Sequence, residues 1–199
     1  MSSGAGSKFH PLVKDAADGV LPDWASARRK RRSHMARVAD LLQEWAEARG
    51  ESSREVVRWR SLGFLHDALR DADPKVLRKM LPKDQRDFPD NVLHGPAAAY
   101  CLRRDGVRDV EVLNAVAYHT MGSPSLGDLG LATYAADFLD PGRRMRKKWR
   151  AHLREAMPGE LHRVVVDVLG ARIQHLIKDQ RRVRPETLAF WNHMLALKR

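Results

Sequence analysis

Apolar residues recur along most of this chain at the three- to four-residue spacing of a helix that buries one face. The clearest case lies over residues 26–49, where Ser26 can cap the N-terminus, Gly50 can end the helix, and the apolar positions are Val38, Leu41, Leu42 and Trp45. No segment shows the strict apolar–polar alternation that is typical of a half-buried strand. The pattern therefore predicts an all-α domain built as a helical bundle.

Capping and breaking residues divide the rest of the chain into further helices. Ser52 and Glu55 form a capping box before a helix that runs to His66, and Asp73 with Pro74 starts a short helix. The remaining helices are predicted from Pro96 to about Gly106, from Asp109 to His119, and over about residues 126–139, 147–157, 161–180 and 186–198. No internal repeat interrupts this order.

The composition fits one globular domain. The chain has 199 residues, of which 43% are apolar, which is enough for a substantial core. Residues 1–24 contain Gly, Ser and Pro but no apolar core of a secretory signal, so we expect a flexible leader there, with Phe9 and Leu12 resting on a single domain over 25–199. One cysteine, Cys101, excludes an internal disulfide, and no apolar run is long enough to span a bilayer. We therefore expect a cytoplasmic protein without a membrane partner.

The net charge of +11 is concentrated in three basic clusters, at residues 28–32, 143–150 and 181–184. Such clusters attract polyanions, whether nucleic acid, anionic lipid or a nucleotide polyphosphate. They are also typical of an ordinary solvated surface. Charge alone does not distinguish these partners, and we expect weak, nonspecific binding of nucleic acid at most.

A set of metal-binding side chains follows in order along the chain: His34, His66, Asp67, His94, His119 and Asp137. The adjacent histidine and aspartate of this set come directly behind the apolar run 62–65, where an ordinary helical core has no use for them. One carboxylate can bridge two cations, and neutral imidazoles fill the remaining positions without excess negative charge. Each histidine taken singly is more often a core or surface residue. The complete ordered set predicts a dinuclear metal centre.

The motifs around this set resemble a known family. The His66-Asp67 doublet resembles that of the HD phosphohydrolase superfamily, and the flanking segments resemble its symmetrical bis(5′-nucleosyl)-tetraphosphatases. These segments are Leu93-His94-Gly95-Pro96, residues 111–116, Tyr118-His119-Thr120, Ala136-Asp137, residues 140–143 and residues 184–188. The resemblance extends from about His34 to Leu195. It implies an HD-domain helical bundle with a di-iron centre in its core, and an activity that splits diadenosine tetraphosphate into two ADP.

The resemblance also implies a role for each residue of the set. One metal would be held by His34, His66, Asp67 and Asp137. The second, bridged through Asp67, would be completed by His94 and His119. The positions near the substrate phosphates would be Arg37, Gly95, Thr120 and Arg143, and the catalytic residues Asp67 and Arg70. Two divalent cations, iron or alternatively manganese, would acidify a water for attack on phosphorus. The oligomeric state stays open, with a homodimer among the alternatives.

The chain departs from the family pattern at four places. Arg70 stands where lysine is common, and Ser123 stands where an arginine would contact phosphate. Gly130-Leu131 replaces an acidic and basic pair, and Asp140-Pro141 replaces Glu-Pro. These departures leave the ligand set intact and concern the substrate contacts. Two alternatives therefore stay open: the same centre acting on another nucleotide or phosphate ester, and a non-catalytic regulatory HD protein that binds nucleic acid through its basic surface.

Overall fold

Ten α-helices and one 3₁₀ turn at Lys83–Gln85 make up the fold of residues 9–197, which are the residues that the computed structural model describes. The helices are α1 Pro11–Ala17, α2 Arg29–Ala48, α3 Ser53–Leu65, α4 Pro74–Met80, α5 His94–Arg104, α6 Val110–Tyr118, α7 Asp128–Leu139, α8 Lys147–Ala156, α9 Leu161–Lys178 and α10 Pro185–Ala196. No strand occurs among these residues, so the all-α prediction is confirmed. No helix within 9–197 is both long and apolar enough to cross a membrane.

The predicted polar caps begin three of the helices. Ser52, Asp73 and Asp109 each accept a hydrogen bond from a backbone N–H in the first turn of α3, α4 and α6 respectively. Pro74 occupies the first turn of α4, where its missing N–H removes no intrahelical bond. These starts could be predicted because a cap involves only neighbouring residues.

Two other predicted helix starts are wrong. Ser26 does not cap α2, which begins at Arg29; its backbone instead pairs with the loop that follows α3. Helix α5 begins at His94, two residues before Pro96. The first four N–H groups of a helix have no intrahelical acceptor, so a proline is tolerated anywhere in that turn and does not have to open it.

The described part of the leader is folded onto the body and differs in this respect from the expectation of a flexible segment. Phe9 and Leu12 pack against the core as expected, and α1 buries its apolar face against α3. The indole Nε1 of Trp24 donates a hydrogen bond to Asp105 at 2.8 Å. Residues 1–8 lie outside the described residues. The domain boundary at residue 25 stays a prediction.

Close contact between α2 and α3 brings two of the predicted metal ligands together. A Cβ atom at Gly63 would lie 2.2 Å from the Cα of Ala39, so only glycine permits this helix crossing. The contact places the rings of His34 and His66 with their centroids 5.5 Å apart. Around these helices lies a continuous apolar core, whose largest fully buried side chains include Trp59, Tyr134 and Phe190.

Candidate metal centre

The six side chains predicted as metal ligands converge on one place in the bundle. They come from the second turn of α2, the end of α3, the first residue of α5, the end of α6 and the last turn of α7: His34, His66, Asp67, His94, His119 and Asp137. The first five are buried, and the Asp137 side chain is 15% exposed. Residues far apart in sequence therefore form one cluster at the meeting point of five helices.

Asp67 stands between two groups of imidazoles. Its Oδ1 lies 3.1 Å from Nε2 of His94 and 3.7 Å from Nε2 of His119. Its Oδ2 lies 3.7 Å from Nε2 of His34 and the same distance from Nε2 of His66. The two groups share this carboxylate, and each has the donor atoms close enough together to hold a cation. The arrangement suits a carboxylate that bridges two metals.

Helix ends determine which nitrogen two of the histidines turn toward the cluster. The Nδ1 of His66 lies 3.1 and 3.0 Å from the carbonyl oxygens of Leu62 and Gly63, and the Nδ1 of His119 lies 2.8 Å from that of Val116. These carbonyls at the end of a helix only accept hydrogen bonds, so Nδ1 carries the proton and donates it. Each Nε2 therefore presents a lone pair, and that of His66 is buried without a hydrogen-bond partner. A buried lone pair without a donor is suited to a cation.

Asp140 orients the ring of His34 in a comparable way. The Nδ1 of His34 donates to Asp140 Oδ2 at 2.8 Å, and Arg37 holds the same carboxylate through Nε and Nη2 at 2.7 and 2.9 Å. The backbone N–H of Gly142 supplies a further bond. Asp140 follows Asp137 by three residues and therefore projects from the same side of α7's end, which is the signal that could have identified it. The Nε2 of the ring is buried and lies 3.3 Å from Asp137 Oδ1.

Burial and mutual proximity keep most of the cluster in the protonation state that binds cations. Burial lowers the pKa of His66, and burial together with the neighbouring imidazoles lowers the pKa of His119 to about 3. Burial would raise the pKa of Asp67, but the surrounding histidines, His66 and His94 foremost, hold it well below its usual range. Neutral imidazoles and ionised carboxylates are the forms that coordinate metals.

Positively charged side chains already lie on the carboxylates of the cluster. Arg31 Nη1 donates to Asp67 Oδ2 at 2.7 Å, and Arg143 Nη2 donates to Asp137 Oδ1 at 2.8 Å. Burial opposes the charging of His34, but the adjacent carboxylates outweigh it and raise its pKa to about 9. The centre therefore attracts cationic groups, which is the property that a metal site needs.

Gly95, which the sequence analysis placed near the substrate, has a clear packing function. It is buried in α5, and a Cβ atom there would lie 2.8 Å from the carbonyl oxygen of Val116 in α6. The two helices can therefore approach until the Nε2 atoms of His94 and His119 are 3.0 Å apart. The contact of Gly95 with substrate stays a prediction.

The other predicted substrate contacts lie around the same cluster. Arg70 is half-buried, its backbone N–H donates to the Asp67 carbonyl at 3.0 Å, and its guanidinium makes no hydrogen bond or ion pair with another residue of the described range 9–197. Arg143 is 44% exposed, and Thr120 is half-buried beside the cluster. Arg37 forms an ion pair with the Asp140 carboxylate, which orients His34. The catalytic role of Arg70 and these phosphate contacts stay predictions.

A sequence comparison identifies the family to which this chain belongs. The HD domain family matches this chain over residues 31–166. This chain belongs to the HD domain family. The family recognised from the sequence motifs is thereby confirmed, and the protein is an HD-domain hydrolase.

Curated relatives indicate a more specific group. Proteins named "Bis(5′-nucleosyl)-tetraphosphatase, symmetrical" match from three bacteria. That of Halalkalibacterium halodurans is 29% identical over 66% of this chain and 73% of its own length. That of Bacillus subtilis is 26% identical over 61% and 64%, and that of Staphylococcus aureus 31% identical over 57% and 60%. For the latter two, the match spans less than two thirds of the relative.

A solved structure shares the fold. It is described as an HD superfamily hydrolase involved in NAD metabolism from Clostridium acetobutylicum, with a TM-score of 0.75 and 22% identity, and the match covers 93% of this chain and 96% of that one. At this identity the likeness shows the fold alone. The expected HD-domain architecture is therefore confirmed.

Three residues at the centre were missed by sequence reasoning as parts of the site. Asp140 was noted only as a departure from the family pattern, and Arg31 only as part of a basic cluster. Arg172 of α9 donates to the Asp137 carboxylate at 2.9 Å. It continues the buried register of Val165 and Leu169, so helical periodicity could have placed it facing inward.

Proposed function

We propose that this protein is a metal-dependent phosphohydrolase that splits diadenosine tetraphosphate symmetrically into two ADP. The observation that carries the proposal is the placement of the two Asp67 oxygens, each facing its own pair of imidazoles. Two cations joined by one carboxylate are the centre that hydrolyses phosphate esters and anhydrides in many enzymes. The choice of substrate is supported by the relatives that are named symmetrical tetraphosphatases.

The donor set fits two divalent metals. One would be held by His34, His66, Asp67 and Asp137, and the other by Asp67, His94 and His119. Imidazole and carboxylate ligands accept either iron or manganese, and we propose iron as the resident metal with manganese as the alternative. When bound, the two metals acidify water and neutralise charge on phosphate oxygens.

The arginines around the centre are suited to hold a polyphosphate. A chain of four phosphates carries about four negative charges, which calls for cationic groups beyond the metals. Arg31 and Arg143 already approach the carboxylates of the centre, and the Arg70 guanidinium has no other described partner. Planar guanidinium groups bind phosphate oxygens in pairs. Symmetric cleavage requires the inner phosphates at the metals, with these arginines holding the phosphates on either side.

A mononucleotide or other phosphate ester is the second candidate substrate. It is favoured by Ser123, which stands where relatives would have an arginine against the phosphate chain. A shorter substrate would need fewer such contacts. The centre itself would be unchanged, so this candidate differs from the first only in the products formed.

The alternative of a basic nucleic-acid-binding protein is disfavoured by how its clusters are used. Arg31 and Arg143 are turned toward the carboxylates of the centre, and Arg150 is buried with hydrogen bonds to the carbonyls of Met145 and Phe138. Some basic side chains of these clusters therefore make contacts within the fold. We retain weak, nonspecific nucleic-acid binding as a minor property, which a mobility-shift titration at low and high salt can measure.

The experiment that tests the proposal is product analysis. Metal-stripped protein is reloaded with Fe²⁺ under anaerobic conditions or with Mn²⁺, and incubated with diadenosine tetraphosphate. Anion-exchange chromatography should show ADP as the only nucleotide product. A run in ¹⁸O-water should place the label in ADP, because water attacks an inner phosphorus. The control is the Asp67→Asn variant purified in parallel, which excludes a contaminating phosphatase.

Other product patterns would overturn the proposal in distinct ways. AMP together with ATP would mean cleavage of an outer anhydride bond and would reject symmetric cleavage. Turnover of mononucleotides without turnover of the dinucleotide would select the second candidate. No turnover of either class with both metals would reject the phosphohydrolase itself.

A further inference from the structure

Arg172 reaches the metal centre from a part of α9 that the family match does not include. The match ends at residue 166, and Arg172 lies further along α9. Its guanidinium carbon lies 4.6 Å from the ring centroid of Tyr134 and 5.3 Å from that of Phe138. The side chain is only 19% exposed, so these rings and the surrounding helices restrict its conformation.

The two terminal nitrogens of the Arg172 guanidinium bind groups from the two halves of the centre. Nη2 donates to Asp137 Oδ2 at 2.9 Å, and Nη1 donates to the backbone carbonyl of Thr120 at 3.1 Å. Thr120 directly follows His119, which faces Oδ1 of Asp67. The same guanidinium therefore connects α7, which carries Asp137, to the residues that end α6.

The two oxygens of Asp137 face different groups. Oδ2 is taken by Arg172, whereas Oδ1 lies 3.3 Å from Nε2 of His34. Arg143 contacts Oδ1 as well, but its side chain is 44% exposed and can move away. Arg172 is less exposed, at 19%, and packs against the rings of Tyr134 and Phe138.

We propose that Arg172 is a positioning residue of the centre: it sets the orientation of the Asp137 carboxylate and ties it to the His119 side through the Thr120 carbonyl. The inference rests on the proposed function for its metals. Lysine cannot reproduce this contact, because a single ammonium group lacks the planar fork that reaches two acceptors at once.

The test compares Arg172→Gln and Arg172→Lys with Arg163→Gln. Arg163 lies on the same helix and pairs with Glu160 and Asp167 at the surface, so its variant controls for loss of an arginine from α9. Each metal-stripped protein is titrated with Mn²⁺ by calorimetry. Melting temperatures with and without Mn²⁺ and, for the reloaded proteins, kcat and KM are then measured.

We expect Arg172→Gln to weaken Mn²⁺ binding at one of the two sites by about 10- to 100-fold, as is typical when a group that orients a ligand is lost. The rise in melting temperature on adding Mn²⁺ should shrink, and kcat should fall more than KM rises. Arg172→Lys should recover part of the affinity, since it keeps the charge beside Asp137. Arg163→Gln should match the unaltered protein in metal affinity.

Unchanged Mn²⁺ affinity with an equal loss of melting temperature in both metal states would show a purely structural role and overturn the inference. If Arg172→Gln fails to fold, the Lys variant decides by the same comparison. Should the unaltered protein bind Mn²⁺ but cleave no polyphosphate, the proposed function fails while the titration still decides the role of Arg172. A protein that binds neither Mn²⁺ nor Fe²⁺ would overturn both.

Discussion

The Nδ1 atom of His34 donates a hydrogen bond to the Asp140 carboxylate at 2.8 Å, and this contact turns the other ring nitrogen toward the metal centre. Arg37 donates one hydrogen bond to each oxygen of the same carboxylate. A carboxylate that orients a metal-binding imidazole fixes its tautomer and increases its basicity. The aspartate that replaces the usual glutamate before proline therefore has a defined role in this chain.

Replacing Asp140 should weaken the metal on the His34 side. In Asp140→Asn the charge is lost, and Arg37 no longer finds two carboxylate oxygens. We expect metal affinity at that site to fall about 10- to 100-fold, with the other site little changed. Calorimetric titration with Mn²⁺ measures both sites. The matched control is Asp128→Asn at the opposite end of α7, whose carboxylate pairs with Arg49 at the surface; equal losses in the two variants would contradict the orienting role.

Replacing Asp67 should affect both metals, because each of its two oxygens faces one of the two imidazole groups. We expect Asp67→Asn to bind far less than one metal per chain and to lose activity, whereas His94→Ala should chiefly lose one metal. Metal content by mass spectrometry after desalting is the measurement. Two metals per chain and unchanged activity in Asp67→Asn would be incompatible with a bridging carboxylate.

The pH dependence of metal binding should differ between the two sites. In the metal-free protein the pKa of His34 is raised to about 9 and that of His119 is lowered to about 3. A cation must therefore displace a proton from His34 at neutral pH but finds His119 already neutral. Affinity at the His34 side should rise by up to about tenfold per pH unit between about pH 6 and pH 8, where the other site changes less.

The same proton has the opposite effect on the metal-free fold. Because the pKa of His34 is raised on folding, its proton stabilises the metal-free protein fully below about pH 6.5, and this contribution is lost as the pH rises to about 9.

Calorimetry in buffers of different ionisation enthalpy counts the protons released on Mn²⁺ binding. Identical proton release at both sites would contradict the assignment.

Introducing an arginine at Ser123 should strengthen substrate binding. Ser123 lies in the loop between α6 and α7, three residues after Thr120, where its hydroxyl contacts that of Ser125 at 2.8 Å. A charge-assisted hydrogen bond to phosphate contributes about 1.5–3 kcal/mol, so Ser123→Arg should lower KM for the dinucleotide about tenfold or more with little change in kcat. Ser125→Arg is the control for added charge in this loop, and an equal effect there would point to general electrostatic attraction.

Local patterns determined the helices and the composition of the centre. Periodicity and caps such as Ser52, Asp73 and Asp109 involve residues within one or two turns, so they are visible in the sequence. The His66-Asp67 doublet and the ordered histidines were also recognisable, and the structure brings them together with Asp137. The predicted start of α2 was wrong because the hydrogen-bond partners of Ser26 are distant in sequence: its backbone pairs with the loop after α3.

Only the tertiary structure decided which groups support that centre. Asp140 meets His34, Arg31 meets Asp67 and Arg172 meets Asp137 across separate helices. An arginine or aspartate in a polar stretch has the same local sequence pattern whether its side chain faces water or a buried partner. Its direction depends on how closely the helices pack, and here glycines such as Gly63 and Gly95 let backbones touch. The identity of the predicted ligands is therefore a property of the sequence, whereas their orientation and charge balance arise only when distant helices come into contact.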